Sequence, residues 1–343
     1  MSAELTEAWS QLAHEKPTGN GWITRRIAAA APCPVRAAIA HPSGMRALLL
    51  EVAARSIDNV IEYPSARGFE VYPETITPGP GGTVRLCLVL SDPAHIEEFS
   101  VLASDVAAAT AHTADEALAF RAFIRRLYAW QAFLRKHRDG LSLEEQTGLF
   151  AELTFLNDIL GNSIRASQLL LTWRGPTRAL RDFVIGPLEI EIKSTAAASN
   201  SAFHVSHLTQ LDDVPSGTLV LTHYRLAEAV DGQSLPALVE RLRQHLKHAF
   251  PDGIQELDQR LMDAGYIDAH ARLYEGRLLA VRAVRFFRVT EGFPRLRPPS
   301  VPHGVVSASY AVDVVACLPY EIDVNTFTSL LASAAGENAV HEQ

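Results

Sequence analysis

Cysteine and lysine are both scarce in this 343-residue chain. The three cysteines, Cys33, Cys87 and Cys317, are odd in number and far apart, which predicts neither a disulfide framework nor a cysteine-based zinc site. This usage fits a reducing compartment, so we expect a cytoplasmic protein. The polar, acidic N-terminus does not resemble a signal peptide, and no apolar run approaches the roughly 20 residues of a membrane-spanning helix. We therefore expect no membrane partner.

Several enzyme motifs are also missing. There is no Gly-x-Ser-x-Gly nucleophile elbow, no Walker loop and no dinucleotide fingerprint, which argues against a serine hydrolase, an ATPase and a dehydrogenase. Two histidine pairs, His204/His207 and His245/His248, lack a third ligand nearby, so we interpret them as structural or surface residues. The net charge of −8 gives no global attraction to nucleic acid, so any such contact must be local.

The composition, 48% hydrophobic and 20% charged, is typical of a folded globular protein, and the length predicts two domains. Residues 22–90 have the pattern of short strands separated by turns. Capping boxes at residues 113–116 and 142–145 predict the starts of two helices. We assign residues 1–110 to a β-rich N-terminal domain of unknown role. Residues 111–343 form the second domain, which ends in further strands.

The most informative carboxylates lie on a predicted hairpin. A two-residue turn at Gly186-Pro187 joins the predicted strands Asp182–Ile185 and Leu188–Ser194, and the register of this turn sets Asp182 opposite Glu191. Opposed carboxylates would lie about 5 Å apart at Cβ and repel by a few kcal/mol at an effective dielectric constant of about 20. A raised pKa, a basic neighbour or a bound cation must offset this repulsion.

Lys193 shares a strand face with Glu191, because alternate side chains of a strand point the same way. Only four of the 31 basic residues are lysines, so this residue departs from the usual cation of the chain. A compact ammonium group can position or polarise a water molecule in a way that a broad guanidinium cannot. Glu-x-Lys also occurs on solvated strands, so the triplet alone does not define a site.

Glu152 lies on the apolar side of a predicted helix. At roughly 3.6 residues per turn, Leu149, Leu153, Leu156 and Ile159 form one apolar arc, and Glu152 falls inside it. A carboxylate on an apolar face is costly unless it is paired or coordinated. We therefore expect either an arginine partner for this residue or a role beside a metal ion.

Five short blocks follow one another in a specific order between residues 145 and 215. They are Gly148-Leu-Phe-Ala-Glu152-Leu, Trp173-Arg-Gly-Pro176, Asp182-Phe183, Glu191-Ile-Lys193-Ser-Thr195 and Gln210-Leu-Asp212. In type and order they resemble the PD-(D/E)XK motif family of bacterial proteins, part of the restriction-endonuclease-like superfamily. The Pro-Asp pair of the superfamily is absent, because Arg181 precedes Asp182. This departure changes no ligand.

The resemblance implies an α/β fold with a restriction-endonuclease-like core, in which helices flank a central mixed sheet. Asp182 and Glu191 would hold Mg²⁺, with Mn²⁺ as an alternative, and Glu152 would be a supporting third metal-site acid. Lys193 would orient the attacking water, which places it with these acids among the catalytic residues. The implied reaction is hydrolysis of phosphodiester bonds, with DNA as the preferred substrate.

The resemblance also implies a setting for this activity, a restriction or anti-phage defence system that would supply partner proteins. Cutting both strands with one centre per chain would need a homodimer or two successive nicks. The alternative function is that of a catalytically inactive subunit with the same fold, which binds nucleic acid or serves as an assembly scaffold.

Candidate contacts to nucleic acid follow from position and charge. Arg174, Arg178 and Arg181 precede the first strand of the hairpin, and arginine grips phosphate well. Gln210 is implied by the resemblance as a contact to nucleic acid or to the metal-binding residues. A further arginine cluster at residues 277–297 is a second candidate surface, although arginine is also the general solvating cation of this chain.

Overall fold

The computed structural model describes residues 2–15, 19–57, 62–78, 81–160, 170–177, 179–196, 202–215, 217–251 and 253–340. The chain divides into two compact units, Met1–Asp139 and Gly140–Gln343. Among the described helices, none is both long enough and apolar enough to cross a lipid bilayer.

The N-terminal unit is built on a five-stranded antiparallel sheet. Its strands are β1 (Gly21–Ile27), β2 (Val35–His41), β3 (Arg46–Ala53), β4 (Phe69–Thr77) and β5 (Thr83–Leu90), in the order β1-β2-β3-β5-β4. The helices of this unit are α1 (Ser2–Leu12), α2 (Ile96–Ala111) and α3 (Glu116–Lys136). The central strand β3 is buried on both faces, because its consecutive residues Leu48 and Leu49 are both fully inaccessible to solvent.

The division between the units falls after Asp139, whereas the sequence predicted it after residue 110. The reason is that α3 packs on α2 and β3 and buries Phe120, Phe123 and Leu127 within the N-terminal unit. A change from strand pattern to helix pattern therefore marks a new layer of the same unit. The Asp115 side chain caps α3 by accepting a hydrogen bond from the Leu118 amide at 2.8 Å.

The second unit contains a mixed sheet and a smaller sheet. Its strands are β6 (Phe183–Ile185), β7 (Leu188–Thr195), β8 (Ala202–Val205), β9 (Thr218–Gln233), β10 (Leu279–Val289), β11 (Tyr310–Asp313) and β12 (Glu321–Ile322). The larger sheet has the order β12-β10-β9-β7-β6, in which β7 and β9 are parallel and the other pairs are antiparallel. Strands β8 and β11 pair with each other.

Helices cover one face of the mixed sheet. They are α4 (Leu143–Leu160), α5 (Leu235–Ala249), α6 (Gly253–Asp263) and α8 (Val324–Val340), while the short α7 (Val314–Cys317) lies on the other side with β8 and β11. The predicted capping box at the start of α4 is confirmed by reciprocal bonds between Ser142 and Glu145. Ile190 and Ile192 of β7 face the helices, so the alternate residues Glu191 and Lys193 project from the opposite face.

Candidate metal centre

Strands β6 and β7 form the hairpin that the sequence predicted. Ile185 pairs with Leu188, and Phe183 pairs with Ile190, so the register places Asp182 opposite Glu191. Gly186 has a φ of 53°, a left-handed value that this tight turn requires and that glycine adopts without steric cost. Asp182 accordingly lies at the entrance to β6, beside the middle of β7.

Asp182 is held by the two chain segments beside it. Its Oδ2 atom accepts a hydrogen bond from the backbone amide of Ile192 at 2.7 Å. Its backbone carbonyl accepts hydrogen bonds from the amides of Arg174 at 2.6 Å and Gly175 at 3.1 Å. These bonds fix both the main chain and one carboxylate oxygen of Asp182.

Glu191 is the most deeply buried acid of the centre, with 2% of its side chain exposed. Its Oε1 atom lies 2.9 Å from Nζ of Lys193 and also accepts a hydrogen bond from the Gln210 side-chain amide. Its Oε2 atom is buried and has no hydrogen-bond partner among the residues that the structure describes. A buried carboxylate oxygen without a partner is costly, so this atom marks a place for a ligand.

Glu152 reaches the same region from α4. Its Oε2 atom accepts a hydrogen bond of 2.7 Å from the indole Nε1 of Trp173, which is fully buried. Within the described part of the chain, no ion pair compensates the charge of Glu152, so the expected arginine partner is not found there. The partner that the structure provides is a tryptophan 21 residues away, which helical periodicity could not reveal.

Gly175 lies where two of these carboxylates converge. A Cβ atom placed on Gly175 would lie 2.6 Å from Glu152 Oε2 and 2.9 Å from Asp182 Oδ1, closer than side chains tolerate. An alanine at this position would displace the ends of both carboxylate side chains, because the backbone approaches both acids closely. The Trp173 indole donates to Glu152 of α4, and the amides of Arg174 and Gly175 donate to the carbonyl of Asp182. The segment 173–175 therefore contacts both acids.

The electrostatics reflect an excess of negative charge. Burial raises the pKa of Glu152 well above its usual value, and the charge of Asp182 raises it further. Burial also raises the pKa of Asp182, against the stabilising hydrogen bond from Ile192. For Glu191, burial and then the Asp182 charge raise the pKa to about 8, although Lys193 acts in the opposite direction. One lysine therefore does not compensate these acids, and an additional cation would.

The donor set fits a hard divalent cation bound by few protein ligands. Among the described residues, no group of three or more His, Cys, Asp or Glu side chains is arranged to hold a metal ion, so the three acids do not form a preassembled cage. The hydrogen bond from Trp173 already engages the Oε2 atom of Glu152. Mg²⁺ usually takes one or two carboxylates, with water and substrate phosphate as its other ligands. Glu191 Oε2 and Asp182 Oδ1, which faces Gly175, are suitable protein ligands.

Comparison with known protein families agrees with this arrangement. The model of the family described as "Putative PD-(D/E)XK family member, (DUF4420)" matches residues 5–315, most of the chain. The chain belongs to this family. A search of curated proteins and a search of solved structures each gave no match. Membership of a PD-(D/E)XK family supports a nuclease-like fold with several helices and sheets, as the resemblance of the five blocks implied.

Arg181 of this PD-(D/E)XK family member is not available to nucleic acid. Its side chain is 3% exposed, and its Nη atoms donate to the carbonyl oxygens of Thr209, Gln210 and Asp212. Its Nε atom forms an ion pair with Glu189 at 3.1 Å. This geometry does not support the predicted contact between Arg181 and nucleic acid, because the donor groups of Arg181 are directed at acceptors inside the protein.

The other three residues predicted to contact nucleic acid, Arg174, Arg178 and Gln210, differ in their surroundings. Arg174 is exposed and stays a candidate. Arg178 lies outside the described residues. The Gln210 carboxamide donates to Glu191 and accepts from the Ser206 amide at 2.9 Å, so both of its polar atoms have partners within the protein.

The second arginine cluster is largely neutralised by acidic neighbours. The ion pairs are Arg277 with Glu228, Arg282 with Asp231, Arg285 with Glu321, Arg295 with Asp213, and Arg297 with Asp212 and Asp213. Guanidinium groups that already have a carboxylate partner add little attraction for phosphate. This region therefore supports a phosphate-binding surface less well than the sequence suggested.

Proposed function

We propose that this PD-(D/E)XK family member is a metal-dependent nuclease that hydrolyses phosphodiester bonds, with DNA as its preferred substrate. One observation carries the proposal. Asp182 lies opposite Glu191, whose Oε1 is engaged by Lys193 and whose buried Oε2 has no hydrogen-bond partner among the described residues. A structural ion pair would have no use for this unsatisfied oxygen, whereas a metal site would.

Asp182 and Glu191 would hold the metal ion, Mg²⁺ or alternatively Mn²⁺, and Glu152 would support them from α4. Bound there, such an ion polarises phosphoryl oxygens and lowers the pKa of a coordinated water. The surrounding residues already orient these ligands. The Ile192 amide holds Asp182 Oδ2, Trp173 holds Glu152, and the pair of donors from Lys193 and Gln210 leaves Oε2 as the open atom of Glu191.

Lys193 carries the catalytic part of the proposal. Its ammonium group lies 2.9 Å from Glu191 Oε1 and keeps two further N–H donors, which can orient a water molecule for in-line attack on phosphorus. Only 11% of its side chain is exposed, so bulk water competes little for these donors. The reaction needs no nucleophilic side chain and no covalent intermediate.

The test compares the wild type with Lys193→Ala and with a matched control, Lys247→Ala, which removes an exposed lysine of α5. Each protein is incubated with plasmid, linear duplex, single-stranded DNA and RNA, with Mg²⁺ and with Mn²⁺. We expect Lys193→Ala to lower the cleavage rate by at least about 100-fold while folding and metal binding persist. The control should cleave like the wild type. Undiminished cleavage by Lys193→Ala would overturn the mechanism.

The proposal also includes the cellular location, the biological system and the oligomeric state that the family resemblance implies. It comprises a cytoplasmic location, a restriction or anti-phage defence system with partner proteins, and a homodimer or two successive nicks for cutting both strands. The three cysteines, which are buried and free, fit a reducing cytoplasm.

The alternative is an inactive nuclease-fold subunit that binds nucleic acid or organises an assembly. The deep burial of Glu191 and Lys193, which restricts access to the centre, favours it. No cleavage of any of these substrates, together with a shift of DNA in a gel at low salt, would favour this function over catalysis.

A further inference from the structure

Arg181 is a buried cation that the catalytic chemistry does not use. It stands directly before Asp182, at the position where the superfamily pattern has proline. The geometry points to Arg181 as a positioning residue: it fixes the turn that carries Gln210 and thereby determines which oxygen of Glu191 is open to a ligand. The placement of Gln210 is independent of the nuclease proposal, and only its consequence for metal affinity rests on that proposed function.

The first contact of Arg181 is with the 3₁₀ turn Leu208–Leu211. The carbonyl of Thr209 accepts from the Asp212 amide at 3.1 Å, and the carbonyl groups that follow it at the end of the turn need donors from outside the turn. Arg181 Nη1 donates to the carbonyls of Gln210 at 2.8 Å and Thr209 at 3.2 Å, and Nη2 donates to the carbonyl of Asp212 at 2.8 Å. The planar guanidinium group thus donates to three carbonyl oxygens from two separate nitrogens, a fixed spread of donors that the single nitrogen of lysine does not reproduce.

The second contact ties this fork to the strand of the metal centre. Arg181 Nε lies 3.1 Å from Oε2 of Glu189, which shares a face of β7 with Glu191 because the two are separated by one residue. A single buried guanidinium therefore connects three segments: the entrance to β6, the strand β7 and the Gln210 turn. Removing such a buried group leaves its partners unsatisfied, so the turn would shift.

The consequence for the centre runs through Gln210. Its backbone carbonyl is held by Arg181, while its side chain accepts from the Ser206 amide and donates to Glu191 Oε1. Displacement of the turn would withdraw this donor and leave Glu191 Oε1 to Lys193 alone. The carboxylate could then rotate and exchange its two oxygens. Loss of such an outer contact typically lowers metal affinity about 10- to 100-fold.

Arg295 provides a matched control. Its side chain is also 3% exposed, and it also donates to this turn, at the carbonyl of Leu211, and pairs with Asp213. It makes no bond to Gln210 among the described contacts. The variants Arg181→Lys and Arg295→Lys both keep a positive charge, which favours folding, but each loses the guanidinium fork.

The first measurement needs no metal and no substrate. The side-chain amide resonances of Gln210, assigned with Gln210→Ala, are recorded for the metal-free wild type and both lysine variants. We expect the carboxylate-bonded amide signal to be lost or shifted to its solvent-exposed position in Arg181→Lys and retained in Arg295→Lys. Retention of this signal in Arg181→Lys, or its loss in both variants, would overturn the inference.

The second measurement is a Mn²⁺ titration of the same proteins and of the double variant Arg181→Lys/Gln210→Ala. We expect Arg181→Lys and Gln210→Ala each to weaken Mn²⁺ binding about 10-fold, and the double variant to bind no more weakly than either one. Binding by Arg181→Lys at wild-type affinity would contradict the role in metal affinity. The wild type could bind no Mn²⁺ although the Gln210 amide signal is lost in Arg181→Lys and retained in Arg295→Lys. In that case the proposed nuclease function fails, and the positioning of Gln210 by Arg181 stands.

Discussion

Each unit of this protein contains a buried tryptophan that donates a 2.7 Å hydrogen bond to a carboxylate. In the N-terminal unit, Trp130 donates to Asp105, which also accepts from Arg126 Nη2 at 2.8 Å. In the second unit, Trp173 donates to Glu152, and the charge with the largest effect on the pKa of Glu152 is that of another acid, Asp182. The same local contact is thus balanced by a cation in one unit and opposed by an anion in the other.

The difference separates a carboxylate whose charge is balanced within the protein from one whose charge is not. The Asp105 carboxylate is fully compensated within the protein, because the Arg126 guanidinium supplies both the opposite charge and the hydrogen-bond donors that it needs. The Glu152 network remains open: the acids outweigh Lys193, and a carboxylate oxygen of Glu191 has no partner among the described residues. An open network of this kind is stabilised either by protonation of its acids or by an external cation that completes it.

Among the variants that test this comparison, the largest expected effect comes from filling the space where Glu152 and Asp182 converge. Gly175→Ala would place a Cβ 2.6 Å from one carboxylate and 2.9 Å from the other, so both must move. We expect metal-dependent cleavage to fall at least about 10-fold, because small displacements of catalytic groups are costly. Gly148→Ala on α4 is the control, since its Cβ would meet no atom within 4 Å. Equal cleavage by the two variants would contradict the crowding of the acids at Gly175.

Replacing each tryptophan by phenylalanine tests the comparison itself. Trp173→Phe leaves the Glu152 carboxyl without its indole donor, at a cost of about 1–3 kcal/mol, whereas Trp130→Phe leaves Asp105 with Arg126. We expect a larger loss in the free energy of unfolding for Trp173→Phe, as measured by urea denaturation of the metal-free proteins. An equal loss in both variants would mean that the two networks are equivalent.

The free energy of unfolding should also depend on pH, and a bound metal ion should reduce this dependence. The pKa of Glu191 is raised from 4.5 to about 8 in the fold, so its contribution to stability is complete below pH 4.5 and is lost as the pH rises toward 8. Burial lowers the pKa of His223 from 6.5 to about 4, so its contribution is lost only as the pH falls below 6.5. Between pH 6.5 and 8 the carboxyl effect should therefore dominate.

The measurement is thermal unfolding in EDTA across this pH interval. We expect the free energy of unfolding to fall by up to about 2 kcal/mol between pH 6.5 and 8. The slope should be smaller in Glu191→Gln and in the presence of saturating Mg²⁺. A metal-free stability that stays level or rises over this interval would count against an uncompensated acid cluster.

The smallest expected effect concerns an exposed arginine beside the centre. Arg174 is exposed and has no ion pair among the described residues, whereas the exposed Arg282 is paired with Asp231 at 2.9 Å. We expect Arg174→Gln to weaken DNA binding a few-fold and to lower the slope of log affinity against log salt by about one. Arg282→Gln should change neither quantity. Fluorescence anisotropy at several salt concentrations measures both, and a reversed order would exclude Arg174 as a phosphate contact.

The sequence predicted the local features of the site well, because these depend on short-range rules. Strand alternation and the Gly186-Pro187 turn were enough to place Asp182 opposite Glu191. Helical periodicity placed Glu152 among apolar residues. The order of the motif blocks indicated the family to which the chain belongs.

The remaining features depend on contacts between residues that are distant in the chain. The bond from Trp173 to Glu152 and the carbonyls held by Arg181 join residues about 20 to 30 positions apart, and no periodicity encodes them. Arg181 was predicted as a phosphate contact from its position alone, and proximity in sequence does not reveal whether a side chain faces solvent. The boundary predicted after residue 110 differs from the division after Asp139 for a related reason, because the packing of α3 on the first sheet is a tertiary contact.

Mn²⁺ calorimetry on three proteins tests the central claim most directly. The wild type, Asp182→Asn and Asp105→Asn are titrated in their metal-free forms at neutral pH. If the open acid cluster holds the catalytic metal, the wild type and Asp105→Asn bind Mn²⁺, and Asp182→Asn binds it far more weakly or not at all. Absence of binding in the wild type, or unchanged binding in Asp182→Asn, would contradict this account of the centre.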